Sequence, residues 1–417
     1  MKGTTMKSIG IICEYNPFHN GHAHQLHTLR TTYPDVLRIA IMSGSFVQRG
    51  EPAYFSKFDR ARWAIHGGAD VVIELPTVYS LGSAELFCTG AVRLMKALHI
   101  HSISFGSELD DNTILHTAAE FLNTPQGQDA IQHHIKTGVS YGTALRQVIA
   151  KYIQNGELIN NAPNSLLGLE YIRAGLAYNA KLEYIPILRT SNHHEEMLTD
   201  ELPSGTALRQ LITSPGNLSS QCITSTGNLS SQLQSIIPPS IASDMTQVIE
   251  NGNYVNYNRY HDMIHSLSRR TTPKELEKFG DFSEGIEHLW SKAAQQSSWT
   301  TATEEIKSKR YTYARLQRMG AYLTLGITKD VLQNAMEEGP QYARLLAFND
   351  RGRQWLRNEY EIPLIQKWAK APNELSALGQ TMHHIDTLAT DIQVLCFHNE
   401  SNRIGHRDYT YTPQYIK

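Results

Sequence analysis

His19, Gly21 and His22 follow a short apolar run, Ser8–Cys13, by way of Glu14-Tyr15-Asn16-Pro17-Phe18. Asn16-Pro17 ends a strand and turns the chain. Asn20 suits the N-cap of a helix that continues through His24, Leu26 and Leu29. Two imidazoles three residues apart then stand at the mouth of a helix. Backbone N–H groups and the positive end of the helix dipole attract phosphate there. Gly21 removes a side chain, so a phosphate or an adenine ring can approach the backbone. Imidazoles on this rim can donate hydrogen bonds to phosphate oxygens and stabilise the charge that builds at an α-phosphate under attack. Two polar residues in a capping turn are the plain alternative. The setting, after a first strand and at the opening of a helix, favours chemistry.

Further candidates share that setting. Ser43-Gly44-Ser45-Phe46-Val47-Gln48-Arg49-Gly50 follows a second apolar run and is rich in small residues. It can close over a nucleotide or a small acid, with Arg49 and Lys57 supplying positive charge for a carboxylate or for phosphates. The alternative is a long loop with ordinary surface charge. Glu74 ends another run, and a carboxylate buried there needs a partner; an ion pair with Lys57 or Arg49 is favoured over a share in holding Mg²⁺. Gly106, in Phe105-Gly106-Ser107-Glu108, lets the backbone lie against adenine or ribose, or simply makes a turn. Asn164 is a helix N-cap in Pro163-Asn164-Ser165. Arg189 closes a strand and points at the usual ligand crevice. In Ser204-Gly205-Thr206-Ala207-Leu208-Arg209, hydroxyls at a helix start and a guanidinium can bind β- and γ-phosphates. Cys13 has no evident base partner and is not assigned as a nucleophile.

The elements that must position these residues alternate through the first 190 residues. Strands are predicted at Ser8–Cys13, 37–42, 70–75, 102–105 and 182–188. Between them Phe87, Ala91, Leu94 and Leu98 recur at helical spacing, as do Leu169, Ile172 and Leu176. Continuous apolar strands alternating with helices imply a parallel α/β sheet covered on both faces, with ligands beyond the carboxyl ends of the strands. Gly216-Asn217-Leu218-Ser219-Ser220-Gln221 returns 11 residues later as Gly227-Asn228-Leu229-Ser230-Ser231-Gln232, a polar loop rather than a solenoid. The division is therefore a Rossmann-like domain over 6–212, a Ser-rich linker over 213–237 and a mainly helical domain over 238–417. Strand signals are few after Ile241 until 391–397.

A 417-residue chain with 41% hydrophobic and 19% charged residues should fold in about two domains and stay in solution. No apolar run approaches the ~20 residues of a membrane span, and the short polar N-terminus has no signal-peptide anatomy. Met6 is a second possible start. Cys13, Cys88, Cys222 and Cys396 show no CxxC spacing, which argues against a zinc site or disulfide frame and fits the cytoplasm. The 19 histidines include three adjacent pairs, but none has metal-ligand spacing. A net charge of −2 counts mildly against a dedicated nucleic-acid binder without excluding a basic patch.

HxGH after a first strand resembles the nucleotidyltransferase superfamily, which includes pantetheine-phosphate and nicotinamide-nucleotide adenylyltransferases and class I aminoacyl-tRNA synthetases. The longer strings are more specific. EYNPFHNGH, MSGSFVQRGEPAYFSK, VIELP, FGSE and KRYTYARLQR resemble the tRNA(Met) cytidine acetate ligases, across both halves of the chain. That resemblance implies adenylation of acetate by ATP, with Mg²⁺ on the leaving pyrophosphate, and passage of acetyl to N4 of the wobble cytidine of elongator tRNA(Met). It implies that ATP lies along Ile12, Cys13, Glu14, Tyr15, Asn16, Pro17, Phe18, His19, Asn20, Gly21, His22, Ala23, His24 and Gln25, and touches Gly106, Asn164 and Arg189. Ser204, Thr206 and Arg209 match the second superfamily signature, S-x-T-x-x-R, although Gly205 leaves its geometry open. His19, His22 and Lys57 are the catalytic candidates. Lys307, Lys309, Arg310, Arg315 and Arg318 are the RNA-binding candidates. If 307–323 is helical, Lys307, Arg310 and Arg318 share one face and Leu316, Met319 and Leu323 the opposite one. Arg351, Arg353 and Arg357 form a second possible patch. Two rival readings are an adenylyltransferase acting on a phosphorylated small molecule and a non-catalytic RNA-binding protein.

Overall fold

The structure, a computed structural model, describes residues 7–109, 112–188, 205–213, 233–308 and 310–417. Arg189, Ser204, Lys309 and the duplicated segment 216–232 lie outside them. The strands are β1 (Ser8–Cys13), β2 (Leu37–Ser43), β3 (Phe46–Val47), β4 (Glu51–Pro52), β5 (Val71–Leu75), β6 (Ser102–Ser107), β7 (Glu183–Leu188), β8 (Ala343–Phe348), β9 (Leu364–Ile365) and β10 (Gln414–Tyr415). Five of them run parallel in the order β5-β2-β1-β6-β7. The chain winds outward from β1 in one direction, then returns to place β6 on its other side. The strand order reverses between β1 and β6, and the crevice beyond their carboxyl ends is the natural place for a ligand.

Strand composition explains the layers. On β2, Ile39 and Ile41 face one core with Val71 and Ile73, while Ala40 and Met42 face the other with Val72. Both faces of the sheet are therefore dry, as the unbroken apolar runs require. One face is covered by helices Ala84–Ala97 and Pro163–Ala177, the other by helices Asn20–Thr32 and Lys57–His66. Leu169 and Ile172 are buried as their spacing predicts, but Leu176 is 46% exposed, so that stripe ends a turn early.

The region after residue 238 is rich in helices and also returns to the sheet. β8 lies antiparallel to β5, with Arg344 opposite Glu74, and β9 and β10 pair with β8 in parallel. One sheet thus draws on the chain from both sides of the 213–237 segment. The expected strand at 391–397 is instead the end of helix Ala377–Leu395. Its apolar residues continue a helical stripe begun by Leu378, Met382, Ile385 and Ala389, all buried, and that longer pattern decides the local conformation. Among the described residues no helix is long and apolar enough to cross a membrane.

A buried ion cluster fastens the returning segment. Lys57 Nζ lies 2.8 Å from Glu74 Oε1 and 3.0 Å from Asp408 Oδ1. Arg344 Nη1 lies 2.8 Å from Asp408 Oδ1 and 3.3 Å from Glu74 Oε2. The Arg344 guanidinium stacks 3.8 Å over the Trp368 ring. Asp386 accepts hydrogen bonds from the Thr77 amide at 2.7 Å and the Tyr342 hydroxyl at 2.5 Å. Burial pushes the carboxyls of Glu74 and Asp386 above the usual range. Burial acts the same way on Asp408, but the adjacent Lys57 and Arg344 outweigh it and hold that carboxyl low. Asp408 thus stays ionised between two buried cations. Asp408→Asn leaves those cations with too little compensating charge, and breaking a buried pair costs about 3–5 kcal/mol. Urea unfolding of the variant should show an unfolding free energy lowered by that amount; an unchanged value means the cluster does not hold the C-terminal segment.

Candidate active site

The carboxyl end of β1 delivers the first motif to the switch point. Tyr15 has a positive φ of 46° and is buried, and the Asn16-Pro17 bond is cis. Helix Asn20–Thr32 is capped by His19, not by Asn20 as its residue type suggested. The Gly21 amide donates to His19 Nδ1 at 3.1 Å, and the His19 amide donates to His22 Nδ1 at 3.3 Å. This is a capping box made of imidazoles. The rings stack with centroids 3.7 Å apart, and Tyr15 packs edge-on to His22 at 4.8 Å. An Nδ1 that accepts from an amide leaves the proton of a neutral ring on Nε2. Both rings therefore carry their proton on Nε2, and the helix start itself fixes their orientation.

A residue overlooked in the sequence organises the loops around them. Arg60 is wholly buried in helix Lys57–His66. Its Nη1 donates to the carbonyls of Glu14 at 2.6 Å and Ser43 at 3.0 Å, its Nη2 to the carbonyl of Gly44, and its Nε to the carbonyl of Phe55 at 3.1 Å. One guanidinium ties the ends of β1 and β2 to the 53–55 segment. Burial lowers its pKa to about 10, with Glu14 as the leading opposing influence, so it is a cation at neutral pH. The signal was present in the sequence. Arg60 stands one turn from Trp63 and Ala64 on the apolar face, whereas Arg62 falls on the polar face with Asp59 and Asp244.

Asn16 is a second hub. Its Oδ1 accepts from the Tyr54 amide at 2.7 Å, and its carbonyl accepts from Arg209 Nη1 at 2.5 Å. Arg209 Nη2 also donates to Thr206 Oγ1 at 3.1 Å. The start of helix Gly205–Thr213 thus lies against the first motif, and a Cβ on Gly205 would stand 3.0 Å from the Asn16 carbonyl. Glycine eases the close approach there.

On the other side of the switch point, Glu108 caps helix Pro163–Ala177. Its carboxylate accepts from the Asn164 amide and side chain at 3.1 and 2.6 Å, and from the Ser165 amide and hydroxyl at 3.0 and 2.9 Å. Partial burial works against the charge, but these bonds outweigh it and hold the carboxyl below the usual range. Ala162, not Asn164, is the cap residue; Asn164 lies inside the first turn. Gly106 sits in β6 between Phe105 and Ser107, and Gln25 reaches back from its helix to Ser104 Oγ at 3.4 Å. Ile12, Cys13, Glu14, Tyr15, Asn16, Pro17, Phe18, Asn20, Ala23 and His24 run from the end of β1 into the first turns of the helix, with Tyr15 and Phe18 buried in the core, while Gly106 lies in β6 and Asn164 in the first turn of helix Pro163–Ala177. Burial raises the Cys13 thiol far above its ordinary value, which suits no nucleophile.

Two expectations change. Lys57 is fully buried on Glu74 and Asp408, so it buttresses the loop: a Cβ on Gly44 would collide with the Glu74 carboxylate. The 307–323 segment is not one helix. Lys307 ends helix Trp299–Ile306, and a new helix, Tyr313–Leu325, starts after the Thr312 cap. Lys307 and Arg310 therefore do not share a helix face with Arg318. Leu316, Met319 and Leu323 are buried as expected. Arg310 pairs with Glu284, Arg315 donates to the Asp281 carbonyl at 3.3 Å, and Arg318 lies 4.0 Å from Asp281 Oδ2. No group of three or more His, Cys, Asp or Glu among the described residues can hold a metal ion.

A nucleoside triphosphate fits a 3-2-1-4-5 parallel order with a histidine-capped helix at its switch point, and this defines the class. The HIGH Nucleotidyl Transferase family model matches residues 6–408. The tRNA(Met) cytidine acetate ligase of Lysinibacillus sphaericus is 34% identical over 387 residues, covering 89% of this chain and 92% of that protein. The ligase of the same name from Acetivibrio thermocellus is 31% identical, covering 97% and 99%. The crystal structure of Thermotoga maritima TmcAL bound with alpha-thio ATP superposes with a TM-score of 0.88 at 28% identity, covering 99% of this chain and 100% of that one. The chain belongs to the HIGH nucleotidyl transferase family, in the group of the tRNA(Met) cytidine acetate ligases.

Arg60→Met takes the guanidinium donor from the carbonyls of Glu14, Ser43 and Gly44, at about 1–3 kcal/mol for each group left unsatisfied, while the Phe55 carbonyl keeps Gln393 Nε2 at 2.9 Å. Under conditions where the far-UV spectrum shows the variant still folded, calorimetric titration with ATP should show affinity at least tenfold weaker, and thermal unfolding a lowered midpoint. Undiminished affinity removes Arg60 from the architecture of the crevice.

Proposed function

We propose that the protein is an ATP-dependent, AMP-forming ligase that activates acetate as acetyl-adenylate and passes the acetyl group to N4 of the wobble cytidine of elongator tRNA(Met). Full-length similarity to tRNA(Met) cytidine acetate ligases, one of them solved with alpha-thio ATP, supports this reading. The observation that carries it is the pair of capped imidazoles at the switch point. A carboxylate oxygen of acetate attacks the α-phosphorus and pyrophosphate leaves. His19 and His22 donate Nε2–H bonds to the α-phosphate oxygens as charge gathers there, from positions that need no rearrangement during the reaction. Arg209 and Thr206 take the β- and γ-phosphates, with Ser204 beside them in the same motif. Gly106, Asn164 and Arg189 hold the nucleoside side. Mg²⁺ arrives with the nucleotide, on the leaving pyrophosphate.

Lys57 acts as a positioning residue through Glu74 and the Gly44 loop. The second half-reaction needs no covalent enzyme intermediate: the cytidine amine attacks the acyl carbon and AMP departs. Lys307, Arg310, Arg315 and Arg318, with Lys309 between them, give the tRNA backbone a basic approach, and the cytoplasm is the place of action. Purified protein incubated with ATP, labelled acetate and tRNA should place label on cytidine, read by nucleoside mass analysis. His22→Ala should lower the rate by about 10²–10³, the usual loss on removing one oxyanion donor. Label at the wild-type rate in that variant removes the role from His22, and absence of label with every tRNA favours an adenylyltransferase with another acceptor.

A further inference from the structure

Glu51 is a half-buried carboxylate that packing does not explain. It stands on β4, at the end of the β3–β4 hairpin, and its Oε1 accepts the side-chain amide of Gln317 from helix Tyr313–Leu325. Among the described residues no lysine, arginine or histidine comes within ion-pair distance of it, unlike the buried carboxylates Glu74, Asp70 and Asp408. Its neighbours join it to the active site. Tyr257, whose hydroxyl donates to the Pro52 carbonyl at 3.4 Å, also bonds Asn16, and Asn16 carries Arg209. Gly50, with φ +84°, packs its backbone directly on Gln317 and Arg318, where no Cβ would fit. The hairpin is therefore clamped between the first motif and the helix that carries Arg315 and Arg318. Tyr313 opens that helix, 40% exposed, with its hydroxyl bonded to Gln317.

We infer that Glu51 is the general base of acetyl transfer, accepting a hydrogen bond from the exocyclic amine of the cytosine ring, with Tyr313 as the stacking platform for that base. This rests on the function proposed above. An exocyclic cytosine amine donates to carboxylates and is a poor nucleophile, because its lone pair is delocalised into the ring. Attack on acetyl-adenylate forms the N4–C bond. The C–O bond to the α-phosphate breaks, and AMP leaves with that electron pair. The proton lost from N4 passes to Glu51. Burial, set against Arg209 and Arg49 and reinforced by Glu14, raises the Glu51 carboxyl, which makes it a stronger base than a solvated carboxylate. Tyr313 leaves enough ring surface open to stack on an unpaired base, the usual way single-stranded nucleotides are held.

The two half-reactions separate the outcomes. In Glu51→Gln, acetate-dependent ATP–pyrophosphate exchange should stay within about threefold of wild type, while acetyl transfer from synthetic acetyl-adenylate to tRNA(Met) falls by about 10² or more. Glu51→Asp should recover part of the transfer, which loss of a merely structural contact would not. Tyr313→Ala should raise the KM for tRNA and leave exchange unchanged. Transfer at the wild-type rate in Glu51→Gln overturns the assignment, as does equal loss of both half-reactions in Glu51→Gln and Glu51→Asp. If the wild-type protein exchanges without acetate and modifies no tRNA, the proposed function fails instead.

Discussion

Four backbone carbonyls converge on one guanidinium, and the crevice takes its shape from that meeting. Ser43 is the last residue of β2, and Glu14, Gly44 and Phe55 lie in the segments beyond the ends of β1 and β2. A carbonyl turned inward without a donor is costly to bury, so loops of this kind ordinarily seek water. Arg60 replaces water with a rigid planar fork whose N–H groups are fixed in direction. The loops can then be both dry and ordered. Aiming their carbonyls at Arg60 leaves the opposite side of the first loop to the helix mouth, where His19 and His22 stand. The helix start, the hairpin and the Arg209 contact on Asn16 all depend on where Arg60 holds the end of β1.

Legibility in the sequence tracked how local each constraint is. The five parallel strands read correctly because each is a continuous apolar run, and a single β1-to-helix turn marks the switch point. The motif from Glu14 to His22 was legible for the same reason. The cap was misassigned to Asn20 because side-chain propensity favours asparagine, and nothing in a sequence shows that His19 and His22 can cap each other in reverse. Asn164 and Leu176 shifted by a residue or a turn for comparable reasons. β8 was invisible: Ala343–Phe348 is a short apolar run flanked by helices, and only its antiparallel partner β5, far away in the chain, makes it a strand. Arg60 is marked by its spacing to Trp63 and Ala64 on the apolar face, but the four carbonyls that give it meaning come from segments far apart in the chain, and Glu51 has no such spacing at all.

The charge cluster explains why the sheet draws on the chain beyond 213–237. Glu74 closes β5 beneath Gly44, and its pairing with Lys57 alone would leave one oxygen without a partner in a dry interior. Arg344 arrives on β8 directly opposite, and Asp408 then balances the second cation. Three carboxylates face two cations, and the raised carboxyl of Asp386, taking the Tyr342 hydroxyl, relieves the excess negative charge. The charges on β5 are thus satisfied only when the C-terminal segment is in place.

That coupling bears on how two substrates can be handled in order. Imidazoles that accept amides at Nδ1 act as directional donors, so the proposed grip of the motif on phosphate oxygens works through direction more than through net charge. Such a site favours the state in which charge is concentrated on the α-phosphate, because well-placed donors strengthen as their acceptor becomes more negative. Two cations in the same place would bind ATP and AMP strongly and hold the product. A nearby carboxylate such as Glu51 would then be drawn into an ion pair and lost as a base. Glu51 stands across Asn16 from the imidazoles, and the burial that raises its carboxyl outweighs the opposing charges of Arg209 and Arg49. A crevice built on directional imidazoles can therefore activate a carboxylate with one set of donors and take a proton from an amine with a neighbouring acceptor, with neither cancelling the other.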